Sequence, residues 1–97
     1  METKILPINA ESLALAASII KEGGVVAFPT ETVYGLGGSA TSDAAVREIY
    51  SVKGRPSDNP LIVHVHPDFD VNKLVKIEHG YAVDLAKKFL PGPLTMV

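Results

Sequence analysis

Two cations flank a glycine at Lys53-Gly54-Arg55, and the loop that follows, Pro56-Ser57-Asp58-Asn59-Pro60, is stiffened by a proline at each end. Arginine presents a planar fork to phosphate or carboxylate, and lysine presents a compact charge. Such a pair suits a triphosphate and can offset the charge that builds on a departing pyrophosphate. Asn59 adds a neutral donor and acceptor to the same loop. The competing reading is a solvated basic loop, because lysine and arginine are common at helix ends.

A second candidate is the hydroxyl- and glycine-rich stretch from Thr30 to Ser39. Thr30, Thr32 and Tyr34 alternate onto one face if the backbone stays extended. Gly35, Gly37 and Gly38 would let backbone amides approach a ligand or turn sharply. The plainer alternative is a turn-rich loop whose hydroxyls bond their own backbone. His64 interrupts the apolar run Leu61-Ile62-Val63-His64-Val65. It reads either as a hydrogen-bonded structural imidazole or as a group that holds a substrate carboxylate or hydroxyl at a strand end. His64, His66 and His79 lack clustered carboxylates, so a metal cage built from protein ligands alone is not expected. No Ser-His-Asp or paired-carboxylate arrangement is visible, and the Walker A and dinucleotide fingerprints are absent.

The elements that must position these residues follow from apolar periodicity. Asn9 caps a helix whose stripe is Leu13, Ala16, Ala17 and Ile20, and Gly23-Gly24 ends it. Val25 to Phe28 reads as a central strand covered on both faces. The hydroxyl-rich stretch therefore lies beyond a strand's carboxyl end, where α/β proteins tend to bind ligands. Ser42 caps a second helix, with Asp43 in its first turn and Ala45, Val46, Ile49 and Tyr50 on one side. Lys4 to Leu6 and Leu61 to Val65 are further strand candidates. A helical turn is expected between Asp70 and Ile77, and a third helix from Gly80 to Leu90, ended by Pro91-Gly92-Pro93. Leu94 to Val97 reads as the opening of another strand.

Composition bounds the class. Hydrophobic residues make up 46% and charged residues 21% of the 97, the balance of a globular protein of one domain or part of one. Eleven acids against nine bases leave a net charge of −2, so the chain as a whole is no basic nucleic-acid clamp. Cysteine is absent, which removes disulfides and thiolate chemistry. No apolar run approaches the ~18 residues of a membrane span, and the first residues lack the apolar core of a signal peptide. A soluble, cytoplasmic protein is expected. Strands alternating with helices give an α/β layer structure. The final strand stub predicts that residues 1–97 are the N-terminal part of a larger domain, with a complete small domain as the alternative.

Three segments, Pro29 to Gly37, Lys53 to Val65 and Leu90 to Thr95, together resemble the YrdC-like family in their residues, order and intervals. The resemblance implies an α/β fold with a YrdC-like twisted mixed sheet and flanking helices, incomplete here at the C-terminus. Members are threonylcarbamoyl-AMP synthases, which join L-threonine, bicarbonate and ATP and release pyrophosphate, for threonylcarbamoyladenosine modification of tRNA. By match to the family's motifs, Thr32 and His64 would hold L-threonine. Lys53 and Arg55 would contact ATP phosphates, Asn59 the nucleotide, and Thr30 and Tyr34 would shape the pocket. Mg2+ would accompany ATP. A further Ser-x-Asn element of the family has no counterpart here, so this chain is expected to bind ATP poorly. Similar domains also occur in carbamoyltransferases of hydrogenase maturation. Others have been described as double-stranded RNA binders. That alternative would use Lys53, Arg55, Lys73, Lys76, Lys87 and Lys88 as phosphate contacts. The sheet edge expected at Met96-Val97 would favour a homodimer.

Overall fold

The computed structural model describes residues 2–97. The chain divides into two compact units, one ending at Pro60 and the other spanning Leu61–Val97. In the first unit the order is α1 (Ala10–Lys21), β1 (Val26–Phe28), β2 (Gly35–Gly37) and α2 (Asp43–Lys53). In the second a single 3-10 turn, Val71–Lys73, precedes α3 (Gly80–Phe89).

α1 starts where the sequence places its cap. The Asn9 side chain accepts from Ser12 N at 2.9 Å, and Ser12 Oγ accepts from Asn9 N at 3.0 Å, a reciprocal capping box. Gly23, at φ +90°, carries the chain out of the helix, and Gly24 N donates to Ile19 O at 2.9 Å. β1 and β2 pair antiparallel, with Val26 opposite Gly37, Ala27 opposite Leu36 and Phe28 opposite Gly35. Val26 and Phe28 are half-buried while Ala27 is exposed. This alternation covers one face, so the expected central strand covered on both faces is corrected to one arm of a two-stranded sheet.

The glycines of β2 seat an aromatic ring. A Cβ at Gly35 would stand 3.0 Å from the Phe28 ring, and one at Gly37 would stand 2.8 Å from it. Gly38 meets α2: a Cβ there would lie 3.2 Å from Ala45 Cβ and 3.6 Å from Ile49 Cδ1. Ala45 and Ile49 are the buried apolar residues among the described ones, so the contact of Gly38 with α2 is the first unit's core. The Ser42 side chain caps α2, accepting from Ala45 N at 3.2 Å.

In the second unit, Asp70 Oδ1 accepts from Asn72 N at 3.1 Å and starts the 3-10 turn expected between Asp70 and Ile77. α3 ends with Lys87 and Lys88 in its last turn, where cations suit the helix dipole. Lys4 to Leu6, Leu61 to Val65 and Leu94 to Val97 form no strand. A strand exists only while a neighbour completes its ladder, and among the described residues the one sheet pairs β1 with β2 alone. The homodimer edge expected at Met96-Val97 therefore has no strand to present.

Apolar stripes read from the sequence are uncovered: Leu13 is 60% exposed and Leu85 41%. No helix is long and apolar enough to cross a membrane among the described residues.

Candidate functional site

The cationic loop is built on the end of α2. Lys53 is the last helical residue. Gly54 turns left-handed at φ +59°, and Arg55 N then donates back to Tyr50 O at 3.1 Å. A turn follows in which Asn59 N donates to Pro56 O at 3.1 Å. Two side chains close the loop. Tyr50 Oη donates to the Asn59 carbonyl at 2.6 Å, and Arg55 Nη2 donates to the Pro60 carbonyl at 2.9 Å. The three predicted residues Lys53, Arg55 and Asn59 are thus held on one anchored segment. Sequence reasoning missed Tyr50 as part of it, because helical spacing placed this residue on an apolar face and gave no sign of its hydroxyl's partner.

Charge in this loop is not neutralised. Among the described residues neither Lys53 nor Arg55 is ion-paired, and Asp58 does not reach them. Arg55 is half-buried, and its Nε is closed off from solvent without a hydrogen-bond partner. A buried guanidinium donor without an acceptor is costly unless an acceptor is supplied. An anionic oxygen is the complementary group.

The hydroxyl loop connects β1 to β2. Its backbone bends between Glu31 and Val33, so the expected extended run with three hydroxyls on one face does not form. Thr30 is the reason. Its Oγ1 accepts from Thr32 N at 3.2 Å and donates to the Val33 carbonyl, closing a local turn. The Thr32 hydroxyl lies 3.5 Å from that of Thr30, at the limit of hydrogen bonding. Thr30 therefore shapes the loop, while Thr32 and Tyr34 are exposed on it. At Gly35 and Gly37 the space a Cβ would take is occupied by the Phe28 ring, so on that side these glycines admit an aromatic side chain of the same sheet.

His64 lies in the second unit, in the non-strand segment before Pro67. Nearby, Asp68 N donates to His66 Nδ1 at 3.2 Å. The His79 and Tyr81 rings stack at 5.1 Å. Among the described residues no group of three or more His, Asp or Glu side chains gathers as a metal site.

The fold agrees with that of known proteins. The Sua5/YciO/YrdC family, described as "Telomere recombination", matches residues 18–97. A threonylcarbamoyl-AMP synthase of Pyrococcus abyssi is 52% identical over 90 residues, covering 93% of this chain and 26% of that protein. One from Bacillus subtilis is 48% identical over 95 residues, covering 98% of this chain and 28% of that protein. The crystal structure of P. abyssi Sua5 complexed with L-threonine matches with a TM-score of 0.80 and 47% identity, over 90% of this chain and 26% of that one. A P. abyssi Sua5 double variant gives a TM-score of 0.81 at 48% identity, over 88% and 26%. The chain is therefore an α/β member of the Sua5/YciO/YrdC family. It spans about a quarter of the length of these relatives.

Proposed function

We propose that this chain carries nucleotide- and threonine-binding segments of an L-threonylcarbamoyladenylate synthase. The observation that carries the reading is the anchored cationic loop. Arg55 is half-buried, free of any ion pair, and has a shielded Nε that awaits an acceptor. Lys53 and Arg55 are assigned to the ATP phosphates and Asn59 to the nucleotide. Thr32 is assigned to L-threonine, with Thr30 and Tyr34 assigned to shape its pocket. His64 receives the same substrate on its match to the family motif alone. The L-threonine complex of the P. abyssi relative supports the choice of amino acid.

The chemistry asks the protein chiefly for placement. The threonine amine, in its neutral form, forms an N–C bond with bicarbonate carbon, and the C–OH bond breaks as hydroxide leaves with an amine proton as water. An oxygen of the resulting carbamate then bonds to the α-phosphorus as the bond to the β-phosphate oxygen breaks, releasing pyrophosphate. Juxtaposition lowers the entropic part of that barrier, and fixed cations offset charge on the departing pyrophosphate. No side-chain nucleophile enters. Threonine selectivity over serine would rest on one methyl group, worth ~1–3 kcal/mol, whereas valine would leave a polar partner unmade. Magnesium accompanying ATP would be held by phosphate oxygens and water, as that ion prefers.

The reading is tested by pyrophosphate release with ATP, L-threonine and bicarbonate, and by calorimetric binding of ATP and L-threonine. Arg55→Ala should weaken ATP use about tenfold or more, and Thr32→Ala should raise the threonine requirement about fivefold. Variants that match the parent refute the residue assignments. Release that ignores threonine refutes the reaction. The role in tRNA modification and a cytoplasmic setting follow from the same reading. A double-stranded RNA-binding module is the other reading. The net charge of −2 disfavours it, and RNA binding that falls steeply with salt and ignores ATP would restore it.

A further inference from the structure

We infer that Tyr50 is a positioning residue for the cationic loop, an assignment that rests on the nucleotide reading of that loop. Tyr50 holds the segment by two separate groups. Its backbone carbonyl accepts from Arg55 N at 3.1 Å, just after the left-handed Gly54. Its hydroxyl, on the same residue of α2, donates to the Asn59 carbonyl at 2.6 Å. One helical residue therefore fixes both the start of the loop and its far end. Arg55 Nη2 adds a rung to the Pro60 carbonyl at 2.9 Å, and the Asn59 N to Pro56 O turn folds the middle.

This geometry ties Asn59 to Arg55 before any ligand arrives. A loop ordered in advance loses less conformational freedom on binding, so more of the interaction with a triphosphate appears as affinity. Without the Tyr50 hydroxyl the far end of the loop would be held by the local Asn59–Pro56 turn and, as the one remaining side-chain strut, the Arg55 fork. That same fork is the group assigned to the phosphates, so it would have to serve as strut and as ligand together. The hydroxyl removes that conflict. Tyr50 touches no substrate in this scheme and acts only through the loop.

The test is Tyr50→Phe, which keeps an aromatic ring at this position of α2 and deletes one hydroxyl. Amide hydrogen exchange at Arg55 and Asn59 is compared with exchange at Val46 to Ile49. Affinities for ATP, for inorganic tripolyphosphate and for L-threonine are measured by calorimetry. Exchange in the loop should quicken about fivefold, with the α2 amides unmoved. Affinity for ATP and tripolyphosphate should fall by a similar factor, and affinity for L-threonine should not change. Loop exchange equal to the parent's overturns the clamp. Weaker ATP binding with tripolyphosphate affinity and exchange unaltered also overturns it, because the hydroxyl would then touch the nucleoside. If the parent binds neither polyphosphate, the nucleotide reading fails and the positioning role fails with it, while the exchange comparison still judges the clamp.

Discussion

Gly37→Ala isolates the contact that closes the β1–β2 sheet. The added Cβ would stand 2.8 Å from Phe28 Cε1, and ordinary contact begins near 3.4 Å, so the ring must retreat by about 0.6 Å. Backbone strain plays no part, since the positive-φ glycines are Gly23 and Gly54. Overpacking of this kind costs ~1–3 kcal/mol. The half-buried Phe28 ring can give way, which places this site at the lower end. Replacing glycine also stiffens the unfolded chain and returns ~0.4–1 kcal/mol. The net loss should be about 0.5–1 kcal/mol. A double-mutant cycle with Phe28→Leu separates the two terms. In that background the ring carbons that clash are gone, so Gly37→Ala should be neutral or slightly stabilising. Urea midpoints followed by far-UV circular dichroism measure all four proteins. An equal cost for Gly37→Ala in both backgrounds would show that the ring does not set the requirement for glycine, and the packing argument would fail.

Two further substitutions test the local devices of α2. Gly54→Ala meets nothing within 4 Å, so its cost is purely the left-handed backbone at φ +59°, about 1–2 kcal/mol, and Gly54→Asn should recover part of it in the same urea measurement. Ser42→Ala removes the acceptor for Ala45 N and should lower stability by about 1 kcal/mol, while Ser42→Asp should hold it near the parent's value.

Helices were legible because their signals are local. Asn9, Ser42 and the glycines after α1 and α2 act within a few residues of themselves, and the structure starts and stops those helices at them. Strands were not legible to the same degree. Leu61 to Val65 has the composition of a buried strand, yet composition names a preference and a ladder needs a neighbour. Val25 to Phe28 was recognised as a strand, but its covering was not, because period-two burial depends on what lies against each face. Tyr50 shows the same boundary at a site: its spacing reported the helix face, whereas its hydroxyl's partner lies nine positions along the chain and follows from the turn at Gly54.

The two loops differ in how far they are organised before a ligand binds, and that difference gives the hydroxyl loop a division of labour. A local turn and a substrate contact compete for the same hydroxyl, so one threonine cannot serve both. Thr30 is committed: its Oγ1 both accepts from Thr32 N and donates to the Val33 carbonyl. Thr32 has only a marginal 3.5 Å contact with Thr30 and can exchange it for an amino-acid hydroxyl or carboxylate at little cost. The plain reading of a self-bonded loop therefore holds for Thr30, and the Thr32 hydroxyl is the one left for the proposed substrate contact. The cationic loop follows the same logic: Arg55 Nη2 is committed to Pro60, and Nε is the donor left to find an acceptor. In both loops the spare hydrogen-bonding group exists because a neighbouring one has already been used to fix the backbone.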